Sequence, residues 1–487
     1  MDTAPGGQGP RPTPTPGARQ AGFARTPAGI GALVVVALAG VIAVGSIVIG
    51  ASGSAGGVAA ASPSASTAAA AMVSEAPSGS PTAAPSTSPT ASPVPDPTPS
   101  AAPAPSASPA PSPSGPPSVS STEGVPAKAL QAKLDKIRKK LQIPGTSVAI
   151  LWDDGRRWLG ASGLRDVAAG DPMTTGTAFA LASVSKTATA AVVLQLVEEG
   201  KLSLEEKVAP LLPAFDMNSK ITVRQLLDHT SGLPDFFLNA RIDRQLRKAK
   251  NAVWTAERTW AYVPDKRPKP GKFWIYSNSN YLLLGELVEA VTGRPLAVEV
   301  RERLLDPLGL ETAWFQAEED PLATGTLAYR LVAAPGGVLH PVPVARKSDI
   351  MPFRSVVTAA GGAGSLAATA VDAARWMRAF AGGDVLTPAM QREILADVAR
   401  TATLKSRIPY GLGIQSLPIA GRYALGHSGR FLGFRNVVRY LPAEGVTIAV
   451  LTNQGVKDPT KIAESLLTVV LPPLPGASPS ASGSVAP

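Results

Sequence analysis

The sequence predicts an α/β domain of the α+β kind: an antiparallel sheet flanked by terminal helices, with an all-helical subdomain inserted in the middle of the chain. Three observations carry this. Runs with strand periodicity lie at both ends of the globular part, helical patterns fill the middle, and an amphipathic helix pattern closes each end.

From Pro126 to Gln142, PAKALQAKLDKIRKKLQ spaces Leu130, Leu134, Ile137 and Leu141 three and four residues apart, one apolar stripe along a helix. The period then changes. GTSVAILWDD and RRWLGASG, joined around Asp153, Asp154 and Gly155, read as strand, turn and strand. Helical patterns follow at Val184 to Gly200, Thr222 to Thr230, Ser279 to Thr292, Ala370 to Ala381 and Pro388 to Arg400. RYALGHSG, GFRNVVRYL and GVTIAVLTN are three further strands, separated by glycine and by the turn Pro442-Ala443-Glu444-Gly445, and DPTKIAESLLTVVL is the closing helix. A site is expected in the crevice between sheet and insert.

This core is set at residues 123–473 of the 487-residue chain, and its flanks have other compositions. Ile30 to Gly50 is charge-free and apolar over about 20 residues, the length of a membrane-crossing helix. A transmembrane signal anchor is therefore expected at 29–51. Arg11, Arg19 and Arg25 precede it against Asp2 alone, which holds residues 1–28 in the cytoplasm as a disordered tail and sends the remainder outward. Cleavage near VAAAS (Val58 to Ser62) is the alternative and would give a secreted protein. Residues 52–122 are nearly all Ala, Pro, Ser, Thr and Gly, too poor in apolar side chains to fold, and read as a disordered linker, as does the tail at 474–487.

The net charge of +10 is spread among acids except in RIDRQLRKAK (Arg241 to Lys250), which reads as a solvated helix face; no nucleic-acid partner is implied. Cysteine is absent, excluding disulfides and thiolate catalysis, and the three histidines, His229, His340 and His427, show no metal-ligand spacing. Neither a metal nor a cofactor is expected. A hydrolase built from these residues must use a hydroxyl nucleophile.

Ser183-Val184-Ser185-Lys186 sets serine and lysine one helical turn apart, where the amine can approach the hydroxyl. Alone the spacing is weak, since a chain of this length gives about one such match by chance. Tyr276-Ser277-Asn278 leads a loop into a helix, and its phenol can serve as a base if neighbouring cations lower its pKa. His427-Ser428-Gly429 lies in a strand whose glycine lets a ligand approach the backbone. Lys269-Pro270-Gly271 has similar spacing, but its prolines bar it from a central strand.

Together, in this order and in these contexts, the three motifs resemble the active-site set of the serine β-lactamase and penicillin-binding protein family, in its class C, D-Ala-D-Ala carboxypeptidase and esterase-like branch. LLDHTSGLPDF (Leu226 to Phe236), AAGGAGSLAATAVDAARWMRAF (Ala359 to Phe380), YGLGI (Tyr410 to Ile414) and VLTNQG (Val450 to Gly455) extend the resemblance over Val125 to Leu471. It implies a β-lactamase/transpeptidase-like fold and an acyl-enzyme serine hydrolase. Ser183 is then the nucleophile, Lys186 and Tyr276 share the base role in an order the resemblance leaves open, and Asn278 contacts substrate or the lysine. His427, Ser428, Gly429 and Arg430 would bind substrate, with the backbone N–H groups of Arg430 and Ser183 as oxyanion donors.

His427 stands where β-lactamases of the branch carry lysine, which removes a permanent cation and argues against efficient β-lactam turnover. Arg430 replaces a residue that is commonly glycine. The substrate classes implied are D-Ala peptides such as those derived from peptidoglycan, D-amino-acid amides, esters and β-lactams. A non-catalytic penicillin-binding sensor or scaffold of the same fold is the alternative, against which the short cytoplasmic stretch and the complete motif set count.

Overall fold

The computed structural model describes residues 122–265, 269–345, 349–404, 406 and 408–474. The expected membrane helix at 29–51 and almost all of the linker and tails lie outside these residues. Among the described residues, no helix is long and apolar enough to cross a membrane.

The central sheet draws three strands from the early chain, β1 (Gly145–Trp152), β2 (Arg157–Asp166) and β3 (Asp171–Pro172). Four more come from the late chain: β4 (Gln415–Ser416), β5 (Leu425–Phe431), β6 (Phe434–Leu441) and β7 (Val446–Thr452). Their spatial order is β3-β2-β1-β7-β6-β5-β4, and each neighbouring pair is antiparallel. The two halves join where β1 lies against β7, with Val148 opposite Val450 and Ile150 opposite Ile448.

Both joining strands are buried along their whole length because each face of the sheet is covered. Alternation sorts their side chains. Val148, Ile150, Ile448 and Val450 pack with Leu130 and Leu134 of helix α1 (Ala127–Leu141) and with Ile462 and Leu466 of the last helix, α6 (Thr460–Val470). Ala149, Leu151, Ala449 and Leu451 face the other way, toward Ala373, Met377 and Phe380 of α4 (Ala370–Gly382) and the insert. Each large aliphatic side chain enclosed in these layers contributes about 1.5–3 kcal/mol. Gln142 ends α1 in a left-handed conformation, its N–H returning to the Arg138 and Lys139 carbonyls.

The insert centres on α2 (Ser185–Glu198) and α3 (Asn278–Thr292), with α5 (Pro388–Thr403) leading back to the sheet. It is not all-helical as expected. Phe179–Ala180, Leu366–Ala368 and Trp314–Phe315 form a small three-stranded sheet, and Tyr329–Ala333 pairs with Leu339–Pro343 in a hairpin. Strands of two or three residues are too short to show a period, and Pro341 and Pro343 disguise the hairpin as loop. The helix expected through Thr230 stops at Leu227, because the Asp228 carboxylate accepts from Thr230 N–H and Oγ1 and His229 turns left-handed at φ 65. The basic run at Arg241 is a helix, Ala240–Lys248, that buries only Ile242 and Leu246, so its charges form a solvated face.

Candidate active site

Ser183 stands in a three-residue turn, Ala182–Val184, that opens directly into α2. Ala182 has φ 53, a left-handed conformation costing an ordinary residue about 1–2 kcal/mol. Neighbours hold it there. Leu181 N–H donates to Leu366 O at 2.8 Å, and Leu366 N–H donates to Ser185 Oγ at 3.0 Å. Ser183 is only half-buried, so the turn presents it to solvent.

Lys186 follows one turn later and is fully buried. Its Nζ lies 3.3 Å from Ser183 Oγ, 2.7 Å from Asn278 Oδ1 and 2.7 Å from Ala363 O. Asn278 is oriented by its other end: Nδ2 donates to Asp235 Oδ2 at 2.8 Å, which turns Oδ1 toward the lysine. Carbonyl oxygens only accept, so the two short contacts consume two N–H bonds of the amine. A neutral amine then has one lone pair left, and of its three neighbours only Ser183 has a proton to give. Burial draws the ammonium down to about 7 against the opposing pull of the Asp235 charge, so near neutral pH a large fraction is in that neutral form.

Asp235 was assigned no individual role by the sequence. It is buried, its carboxyl raised above the usual range chiefly by desolvation, while Phe237 N–H, the Lys186 charge and Asn278 act in the other direction. The signal was present in Leu233-Pro234-Asp235-Phe236-Phe237, where a single acid sits inside an apolar run. Such a group is costly to bury without partners.

Tyr276 is brought to the same place. Its hydroxyl interacts with Ser183, and Lys186 Nζ lies 5.2 Å from its ring centroid. The cation does not lower this phenol: desolvation dominates and raises it above its ordinary value, so Tyr276 stays protonated. Beneath it, the His229 ring lies 4.3 Å from the Tyr276 ring, centroid to centroid. His229 Nδ1 accepts from Ser277 N–H at 3.3 Å and faces Asn280 Nδ2 at 3.1 Å, which holds the backbone before Asn278 and a side chain after it. Burial, and then the Lys186 charge, hold His229 well below its usual pKa.

Strand β5 runs beside the Ser183 turn, and Gly429 is the point of contact. A Cβ there would lie 2.1 Å from Leu181 O, so only glycine fits. His427 lies beside the cluster, its ring 6.5 Å from that of Tyr276 between centroids. Its ring is fully buried, Nδ1 lies 2.7 Å from Ser428 O, and Nε2 lies 2.9 Å from Tyr410 Oη. A carbonyl cannot donate, so Nδ1 carries the proton and Nε2 accepts from Tyr410; burial keeps the ring neutral, well below its usual pKa. No polar atom of this imidazole is left over, because Tyr410 arrives from a loop that strand periodicity does not reveal. Ser428 is half-buried on the opposite face and Arg430 is exposed. The sequence placed no emphasis on Arg439, which is buried behind Ser428 and donates to Ser428 Oγ at 2.8 Å and Gln415 Oε1 at 3.0 Å.

The model of the β-lactamase family matches residues 130–469 of this chain. Penicillin-binding protein 4 of Amycolatopsis lactamdurans is 31% identical over 349 residues, covering 67% of this chain and 85% of that protein. A D-aminopeptidase of Gluconobacter oxydans is 25% identical over 334 residues, covering 66% of this chain and 58% of that protein. Among solved structures, a D-stereospecific amidohydrolase from Streptomyces sp. superposes with a TM-score of 0.58 at 27% identity, covering 70% of this chain and 98% of that one. With its antiparallel sheet, its helical insert and its Ser-Lys-Tyr-Asn cluster, the chain belongs to the β-lactamase family, as one of its serine hydrolases.

Proposed function

We propose that this protein hydrolyses small amides, peptides or esters through an acyl-enzyme on Ser183, with Lys186 as the first base. The observation that carries this is the hydrogen-bond arithmetic at Lys186 Nζ. Asn278 Oδ1 and Ala363 O take both protons of the neutral amine, and the remaining lone pair addresses Ser183 Oγ. As Ser183 attacks the carbonyl carbon, its proton passes to Lys186, and the resulting ammonium donates to all three neighbours at once. Tyr276, protonated and beside Ser183, is suited to pass a proton to the leaving group, its own being restored from the Lys186 ammonium, rather than to begin the reaction. The backbone N–H groups of Ser183 and Arg430 serve as oxyanion donors, each worth about 3–4 kcal/mol of barrier.

D-amino-acid amides and D-Ala peptides, including fragments of peptidoglycan, are the favoured substrates, a reading supported by the kinship to an aminopeptidase and an amidohydrolase of D specificity. The apolar segment at 29–51 anchors the enzyme with this domain outside the membrane. A serine-directed fluorophosphonate tests the core assignment. Wild type takes up one label per chain and Ser183→Ala takes up none; undiminished labelling of the variant defeats it. Extraction in alkaline carbonate tests the anchor, since an anchored chain stays in the pellet and deletion of 29–51 releases it.

A further inference from the structure

His229 is a buried titratable group that takes no step in the chemistry above. It is fully enclosed, and its backbone is left-handed at φ 65, a conformation that side-chain-bearing residues rarely adopt. Two donors converge on its Nδ1, Ser277 N–H and Asn280 Nδ2, and Ser231 Oγ orients the Asn280 amide by donating to its Oδ1 at 2.7 Å. The ring proton therefore sits on Nε2. That N–H is buried and has no hydrogen-bond partner among the described residues. Around the ring stand Trp274, Tyr276, Tyr281 and Tyr410, with centroids 6.0, 4.3, 5.3 and 4.7 Å away. A residue strained in its backbone and unsatisfied in its side chain points to a functional demand on its position.

What residue 229 grips shows the demand. Its carbonyl accepts from Ile275 N–H at 3.0 Å and its Nδ1 from Ser277 N–H at 3.3 Å, so one residue holds the chain on both sides of Tyr276. Its ring also lies against the Tyr276 ring, tilted by 39°. The next residue ties down the start of the same loop, Thr230 O accepting from Gly271 N–H at 2.8 Å. Between these points the loop is open to solvent: Lys272, Phe273 and Ile275 are exposed. The phenol of Tyr276 is thus carried by a segment whose own packing is slight, and the left-handed turn at His229 is what fixes it.

We propose that His229 is the positioning residue that makes this cleft competent toward amides as well as activated esters. This role rests on the acyl-enzyme reading above and deepens it. As Ser183 Oγ bonds to the carbonyl carbon and the C–N bond breaks, the departing nitrogen must take up a proton. Tyr276 gives that proton, and the Lys186 ammonium, holding the one taken from Ser183, returns it to the phenol, so the transfer balances within the site. A p-nitrophenol leaving group departs as its anion and needs no such transfer. Proton transfer requires hydrogen-bond reach, so a phenol that drifts forfeits the amide far more than the ester. His229 itself touches neither the substrate nor the travelling proton.

The test compares D-alanine p-nitroanilide with D-alanine p-nitrophenyl ester, which differ only in the nitrogen or oxygen of the scissile bond, by kcat/KM of the purified full chain. In His229→Leu, which removes the acceptor at similar volume, the anilide is expected to fall about 100-fold or more and the ester about tenfold or less. His229→Asn offers an amide oxygen to Ser277 N–H and tolerates the left-handed turn; it is expected to bring the anilide-to-ester ratio back to within about threefold of wild type. Should His229→Leu not fold, Asn280→Ala, which frees one side of the imidazole, is read in its place and should lower that ratio about three- to tenfold. Equal losses on both substrates would mark a merely structural residue and overturn the proposal. So would a wild type that cleaves the ester alone, or His229→Asn behaving no better than His229→Leu. A wild type that cleaves neither substrate defeats the acyl-enzyme reading itself, and this role with it.

Discussion

The ionisation of Lys186 should govern the pH dependence of the enzyme, and Asp235 should set where it falls. An ammonium has no lone pair, so kcat/KM for a neutral chromogenic ester is expected to climb about tenfold per pH unit below the lysine pKa and to level above it. With burial drawing that pKa to about 7, the bend belongs near neutrality. Asp235 lies beyond Asn278, joined by contacts of 2.7 and 2.8 Å, so the two charges are about 7 Å apart. At an effective dielectric of about 20, that attraction is about 2 kcal/mol, or one to two pH units. Its sign is fixed: the carboxylate favours the ammonium, so removing it must lower the pKa. Asp235→Asn can still accept from Asn278 Nδ2 through its single amide oxygen, at the loss of the bond from Phe237 N–H to the other carboxylate oxygen. The assay is kcat/KM from pH 5 to 10 for both proteins. The acid limb of the variant should move to lower pH by one to two units. A limb that stays in place or moves upward would refute the assignment of Lys186 as base.

Two other outcomes follow from contacts at the sheet edge. Gly429→Ala introduces a methyl group 2.1 Å from Leu181 O, and since both sides are backbone, β5 and the nucleophile turn must separate; a loss of at least about a hundredfold in kcat is expected, with about 1–3 kcal/mol lost in urea denaturation. Tyr410→Phe leaves His427 Nε2 as a buried acceptor without a donor, which should lower stability by about 1–3 kcal/mol in the same measurement.

The sheet was legible because its long strands each carry seven to ten residues bounded by turn signals, and because α1 and α6 show one apolar face each. The insert was less so. Phe179–Ala180 is two residues long, and it is held by Ala367 and Ala368 from almost 190 positions away, a pairing no local pattern announces. At the site, Ser183, Lys186, Tyr276 and Asn278 were named by the motifs and the resemblance they carry together, and the four converge. His427 lies beside them, 6.5 Å from the Tyr276 ring between centroids, but what encloses its ring is Tyr410, a residue of another loop that the sequence did not connect to it. Asp235 and Arg439 passed unremarked inside apolar runs. In each case the composition of the run concealed what its charge indicates: a buried ionisable group needs a reason.

Ala363, which supplies one of the acceptors at Lys186, follows that lysine by 177 positions, so the three segments that build the site dock only when the whole insert has closed. Until then the lysine is an ordinary solvated ammonium and the serine an ordinary alcohol. The nascent chain is therefore chemically silent, and completing its tertiary structure is what arms it.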